Sequence, residues 1–166
     1  MASEGAGLGT TLDTIEDFLA RKRIAMAGIS RDPANFSVKL FEELCRRGYD
    51  VVPVNPKATE VQGRRCFARV QDIEPPVEAA LLMTSPESTE TVVNDCAEAG
   101  IRRVWMYRAL GRGAVSAKAV AFCQAQGMQV VPGQCPFMFL PDTGGVHRLH
   151  GFVRKITGHY PRRACS

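Results

Sequence analysis

An α/β fold, a parallel sheet between two layers of helices, is what this sequence predicts, and three observations predict it. Apolar runs of strand length recur five times, over residues 24–29, 51–54, 79–83, 103–106 and 129–131. They show little alternation, as expected of strands covered on both faces. Between the runs lie stretches of helical period, and three of these end in glycine, at Gly48, Gly100 and Gly127, shortly before the next run. That order is the grammar of βα units, whose right-handed crossovers make the sheet parallel and place helices on both faces.

The elements follow in order. Residues 1–10 are small and glycine-rich and read as a flexible N-terminal tail. Leu12, Ile15, Phe18 and Leu19 then recur at helical spacing after Thr10 or Thr11 as cap, which predicts a helix over 11–23. Arg21, Lys22 and Arg23 would close its last turn, where the helix dipole favours cations. After the first strand, a helix over 36–47 sets Leu40, Phe41, Leu44 and Cys45 on one face and stops at Gly48. Pro53 lacks a ladder donor, so the second strand either ends there or lies at a sheet edge. Residues 57–78 are polar, with Gly63 and the pair Pro75 and Pro76, and read as loop or as one short strand around Cys66 and Phe67. Ser85 followed by Pro86 opens a helix over 86–99, and a further helix spans 114–126. Residues 11–140 thus form one domain. In 141–166, Val146, Leu149, Phe152, Val153 and Ile156 mark an amphipathic helix with a basic outer face, a C-terminal extension suited to cover a sheet edge, join a homo-oligomer or lie near an anionic ligand.

Composition narrows the function classes. At 166 residues, 45% hydrophobic and 23% charged, the chain suits one globular domain with a real core. It has no apolar run of membrane-spanning length and no basic region leading into an apolar stretch at the N-terminus, so a cytoplasmic protein without a membrane partner is expected. The six cysteines form no C-x-x-C pair and read as reduced core thiols. A formal charge of +4 is mild and collects near the C-terminus in Arg148, Arg154, Lys155, Arg162 and Arg163, which gives little reason to expect a nucleic-acid partner.

In an open parallel sheet, ligands bind beyond the carboxyl ends of the strands. The first such loop, from Gly28 to Ser37, leads into a helix N-terminus and suits a phosphate: Gly28 lets the backbone turn, Ser30 and Ser37 offer hydroxyls, and Arg31 supplies charge. An ordinary βα turn with a helix-capping serine would have the same residues. The three-glycine dinucleotide fingerprint is missing. The second loop reads Asn55, Pro56, Lys57 where an NAD site usually carries an acid for the ribose, and a lysine there prefers phosphate. Thr84 and Ser85 begin a second helix on the same side, first as an N-cap and then as a ligand contact.

The segment Gly28-Ile29-Ser30-Arg31-Asp32-Pro33, then Gly48-Tyr49-Asp50-Val51-Val52-Pro53-Val54-Asn55-Pro56-Lys57, resembles the small stand-alone CoA-binding proteins, which are similar to the CoA-binding domain of the succinyl-CoA synthetase α-subunit. The likeness runs over about residues 15–140 and includes Val61-Gln62-Gly63 before Cys66, Asp72-Ile73, and Cys135-Pro136. It implies a Rossmann-like domain that binds coenzyme A or an acyl-CoA over the strand ends. The phosphates would lie near Gly28, Ser30, Arg31 and Ser37 and near Lys57, with Thr84 and Ser85 flanking the adenosine or pantetheine. The candidate site is therefore Gly28, Ile29, Ser30, Arg31, Phe36, Ser37, Asn55, Pro56, Lys57, Thr84 and Ser85. The phosphohistidine domain of the synthetase has no counterpart here, so a non-catalytic cofactor-binding module is expected.

Two other functions compete. An NAD(P)-binding oxidoreductase or redox-sensing domain would share the architecture. Cys135, after the last strand, could instead form a mixed disulfide with the CoA thiol, although nothing in the sequence lowers its pKa and an inert, partly buried thiol is the better account of it. His147, His150 and His159 complete no recognisable zinc pattern. Asp32 and Glu87 are polar residues near the strand ends without a visible partner, so no catalytic set emerges.

Overall fold

A computed structural model describes residues 10–109 and 111–141. Helix α1 (Leu12–Ala20) precedes strand β1 (Arg23–Ala27), and α2 (Phe36–Arg46) connects β1 to β2 (Asp50–Val54). A small hairpin, β3 (Glu60–Val61) and β4 (Arg64–Arg65), and a 3-10 turn at Val70–Asp72 lead to β5 (Ala79–Leu82). Helix α3 (Pro86–Glu98), β6 (Arg103–Tyr107), α4 (Ala117–Ala125), β7 (Gln129–Gln134) and a 3-10 turn at Pro136–Met138 complete the described chain. The main sheet has the order β2-β1-β5-β6-β7, and every pair in it is parallel. The expected Rossmann-like α/β sandwich is therefore the fold.

The unalternating strands are covered on both faces. Alternate residues feed two cores: Ala25, Ala27, Ala80, Leu82, Val104 and Met106 face the side of α3 and α4, whereas Ile24, Met26, Ala79, Leu81 and Trp105 face the side of α1 and α2. Small alanines on β1 and β5 let α3 approach the sheet closely, and Cys96 of α3 and Cys123 of α4 fill the space between. Burial pushes the Cys123 thiol up to about 11 and the Cys96 thiol further in the same direction, so both act as small apolar groups. Burial also raises Cys45 and Cys66.

The three helix-ending glycines adopt left-handed φ values of 83° at Gly48, 76° at Gly100 and 66° at Gly127, the conformation a helix C-terminus asks for. Helix boundaries differ at two places. Helix α1 ends at Ala20, and Arg21 is already extended, so no cation sits in the last turn. Arg21 instead pairs with Asp17 at 3.2 Å, Arg23 opens β1 and pairs with Asp50, and Lys22 lies over the Tyr49 ring. Helix α4 starts at Ala117, capped by Ser116, because Gly113 and the turn around it occupy the residues before it. Strand β1 stops at Ala27, two residues short of the apolar run, since Gly28 turns the chain at φ +85°.

Pro53 does lie on an edge strand. β2 pairs only with β1 in the main sheet, and on its outer side the Pro53 carbonyl accepts from Phe67 N–H at 3.0 Å while Asn55 N–H donates to the Phe67 carbonyl at 2.9 Å. The polar segment before β5 holds a hairpin at 60–65 rather than a strand at Cys66 and Phe67. Gln62 and Gly63 both take positive φ, the signature of a two-residue hairpin turn, and Phe67 makes a single bridge to Val54. The tail at 1–9, the extension from 142 onward and all three histidines lie outside the described residues. Among the described residues no helix is long and apolar enough to cross a membrane, and no group of His, Cys, Asp and Glu is arranged to hold a metal.

On the outer face of α2, Glu43 receives Arg46 at 2.6 Å and Arg47 at 2.6 Å. These guanidinium groups, Arg46 first, lower its carboxyl pKa from 4.5 to about 2. The unfolded chain therefore takes up a proton that the folded chain refuses between those values, so this contribution to stability is complete above pH 4.5 and disappears as the pH falls to about 2. Glu43→Gln should flatten the decline of the denaturation midpoint across that interval and leave the slope above it unchanged.

Candidate functional site

The strand order reverses between β1 and β5: the chain leaves β1 for β2 on one side and returns to β5 on the other. The loops after β1 and β5 consequently diverge at the carboxyl end of the sheet, where an α/β fold opens its ligand crevice. Gly28 forms the saddle of this crevice. A Cβ there would lie 2.7 Å from the Met83 carbonyl carbon, 2.8 Å from its oxygen and 2.9 Å from Thr84 N. Only glycine lets the loop after β1 rest on the end of β5, and Met83 N–H donates to the Ala27 carbonyl at 2.8 Å just below.

Two cavities meet at this saddle, and Gly28, Met83, Thr84 and Ser85 line both. The larger, of about 740 Å³, extends over β2 and is walled by Asn55, Pro56, Lys57, the segment 68–70 and one face of α3 from Ser88 to Asp95. The smaller, of about 320 Å³, extends over β6 and is walled by Ser30, Phe36, Ser37, Tyr107 and Gly113. Together they form one bent groove across the switch point, within the range of volumes that small-molecule sites occupy.

The first loop is braced from within. Ser30 N–H donates to Ser37 Oγ at 2.9 Å, Ser37 Oγ–H donates to Asn35 Oδ1 at 2.8 Å, and Ser37 N–H donates to the same oxygen at 2.9 Å. Asn35, not a serine, is therefore the N-cap of α2, because its amide oxygen reaches the second helical N–H. Ser37 is buried, and its hydroxyl is committed to this brace. Ser30 Oγ accepts from Asp32 N–H at 3.0 Å and Asp32 Oδ1 from Ala34 N–H at 2.9 Å, so Asp32 shapes the loop. Arg31 is exposed and lines neither cavity.

After β2, Asn55 Oδ1 accepts from Lys57 N–H at 2.9 Å and Ala58 N–H donates to the Asn55 carbonyl at 3.2 Å, a turn that places Lys57, exposed, on the rim of the larger cavity. After β5, Ser85 caps α3 by accepting from Ser88 N–H at 3.2 Å, and Thr84 shares a 2.7 Å hydrogen bond with Thr89. Of the eleven residues anticipated from sequence, the groove gathers ten and leaves out Arg31.

It also includes residues that the sequence reading missed. Asp95, Thr91 and Val92 come from α3, whose groove-lining stripe of Ser88, Thr91 and Asp95 at spacings of three and four continues the face begun at Ser85. That periodicity was the available signal. Ala68, Arg69 and Val70 had none, because their position depends on the hairpin that precedes them. In the smaller cavity Phe36 stacks on Tyr107 at 5.3 Å and meets Phe137 edge-on at 5.6 Å. Burial pushes the Tyr107 phenol up to about 12, so it is protonated at neutral pH. Cys135 is 5% exposed and lines neither cavity. Glu87 pairs with Arg112 at 3.4 Å on the surface.

Residues 22–141 match the model of the CoA binding domain family. The chain belongs to that family. A CoA binding domain thus accounts for the whole sheet and every wall of the groove. The domain is similar to the acetate–CoA ligase (ADP-forming) II α-subunit of Pyrococcus furiosus, 29% identical over 91 residues, which are 54% of this chain but only 20% of the ligase subunit. It is 25% identical over 122 residues to the Bacillus subtilis protein YneT, covering 73% of this chain and 87% of that one. Among solved structures, a hypothetical protein from Pyrococcus horikoshii superposes with a TM-score of 0.71 at 30% identity, covering 82% of this chain and 94% of the other. The likeness to YneT and to the horikoshii protein takes in nearly the whole of small proteins, whereas the likeness to the ligase takes in one part of a large one.

Proposed function

We propose that the chain is a module, over residues 11–140, that binds coenzyme A or an acyl-CoA in the bent groove without transforming it. The observation that carries this reading is the Gly28 saddle, whose residues Gly28, Met83, Thr84 and Ser85 line both cavities, so that an extended ligand can lie across both. Family membership names the ligand class. The N-terminus of α2 and the N-terminus of α3 both open onto the groove, which suits a diphosphate, and Lys57 on the rim suits the 3′-phosphate. No acid follows β2 to take the ribose hydroxyls of NAD, and Asn55 Oδ1 is engaged by its own turn. The reading without turnover is supported by the groove's polar residues: Ser37 and Thr84 are each held by structural hydrogen bonds, and no nucleophile and base are paired there among the described residues.

Calorimetric titration with CoA, 3′-dephospho-CoA and NADPH tests this. CoA should bind, NADPH should not, and Lys57→Ala should weaken CoA about ten-fold while weakening 3′-dephospho-CoA much less. Acetyl-CoA incubated with the protein should release no thiol. Failure of every nucleotide to bind would leave the fold intact and remove the ligand.

A further inference from the structure

The larger cavity has two chemically different ends. Lys57 supplies a cation at the end of β2, whereas the wall made by α3 presents the carboxylate of Asp95. Arg69 adds no net charge between them, because its guanidinium lies 2.8 Å from Asp95 and 3.6 Å from Glu98. The walls linking the two ends are largely apolar, with Val54, Val70, Met83 and Val92 among them, beside the hydroxyl residues Thr84, Ser85, Ser88 and Thr91. Such a space suits a flat heteroaromatic ring better than a phosphate.

Asp95 is positioned for a directed contact. Its side chain is only 15% exposed, and both donors that reach it, Arg69 Nη2 at 2.8 Å and Gln71 Nε2 at 2.9 Å, fall on Oδ1. No donor among the described residues reaches Oδ2. Nor is Oδ2 sealed away: the buried side-chain atoms left without a partner are Oε1 of Gln71 and Oε1 of Gln134. Asp95 therefore carries one oxygen fixed by the protein and one accessible oxygen, on the wall of an apolar slot. An ionised carboxylate only accepts hydrogen bonds, so the group it selects must be an N–H or O–H donor.

We propose that this cavity holds the purine of the nucleotide and that Asp95 Oδ2 accepts from its exocyclic amino group, which makes Asp95 the residue that selects a 6-aminopurine over a 6-oxopurine. The assignment rests on the coenzyme A reading, in which Lys57 takes the phosphate of the same nucleotide. A 6-oxopurine would set its carbonyl oxygen against the carboxylate, acceptor facing acceptor, in a partly dehydrated slot where an unmade hydrogen bond is expensive.

Titrations with CoA and with its deaminated analogue, hypoxanthine in place of adenine, test the inference. The wild type should prefer CoA by about ten-fold or more, the usual effect of losing one hydrogen bond to a charged group. Asp95→Asn keeps its carbonyl on Arg69 and Gln71 and turns its NH2 to the ligand, where it can donate to the oxo group, so the preference for CoA should be lost or reversed. Glu98→Gln, in the same ionic network but outside the cavity, should retain the wild-type preference, and circular dichroism of both variants separates lost selectivity from lost folding. Equal affinity of the wild type for both coenzymes, or a preference that survives Asp95→Asn, overturns the purine assignment while the coenzyme A reading stands. Absence of binding by either coenzyme overturns both.

Discussion

Gly28→Ala should destabilise the domain by roughly 3 kcal/mol and abolish measurable coenzyme binding. Two penalties combine at this position. A left-handed φ of +85° costs an alanine about 1–2 kcal/mol, and a methyl 2.7 Å from the Met83 carbonyl carbon meets backbone that cannot rotate away, which adds about 1–3 kcal/mol. Relief requires the end of β5 to withdraw from β1. Met83, Thr84 and Ser85 line both cavities, so that withdrawal alters both at once. Gly63→Ala is the matched control: its φ is +72° but nothing lies within 4 Å of the added carbon, so only the conformational penalty of about 1 kcal/mol should appear. Urea denaturation of the two variants beside the wild type reads the difference. Equal losses would mean that the close approach at Gly28 is not what holds the saddle.

Trp105→Ala should cost about 3–5 kcal/mol, the range for removing a large aromatic side chain from a core. Trp105 has no exposed surface and meets Phe18 edge-on at 5.2 Å and Phe139 at 6.0 Å. Its indole N–H also donates to the Gln134 carbonyl at 2.9 Å, which ties β6 to the end of β7 beside the smaller cavity. The variant therefore leaves both a void and a weakened strand end. Trp105 is the sole tryptophan of the sequence, so the wild type can be followed by its emission and the variant by far-ultraviolet circular dichroism. A loss below about 1 kcal/mol would place Trp105 among ordinary surface substitutions and contradict its central position.

The fold was legible because its instructions are local. Unalternating apolar runs, Ser85 before Pro86, and glycines at the helix ends each depend on a few adjacent residues, and all point to the same βα repeat. The hairpin at 60–65 was not legible, since two-residue strands carry no period and Gln62 in a left-handed conformation is unusual for its type. At the site, the loops after β1, β2 and β5 followed from the fold class alone. Asp95 and Arg69 did not, because their meeting joins segments 26 residues apart through a turn that only the folded chain defines. The cap of α2 is Asn35, whose amide oxygen reaches the Ser37 N–H two residues on, so the alternative of a capping serine in this loop does not apply.

The way Phe67 clasps β2 bears on how this protein behaves at high concentration. An open edge strand offers a row of unanswered amides and carbonyls onto which a strand of another molecule can add. Here the Pro53 ring contributes no donor, its carbonyl is occupied by Phe67 N–H, and Asn55 N–H is spent on the Phe67 carbonyl. Sheet-to-sheet polymerisation through β2 therefore finds no template at this edge.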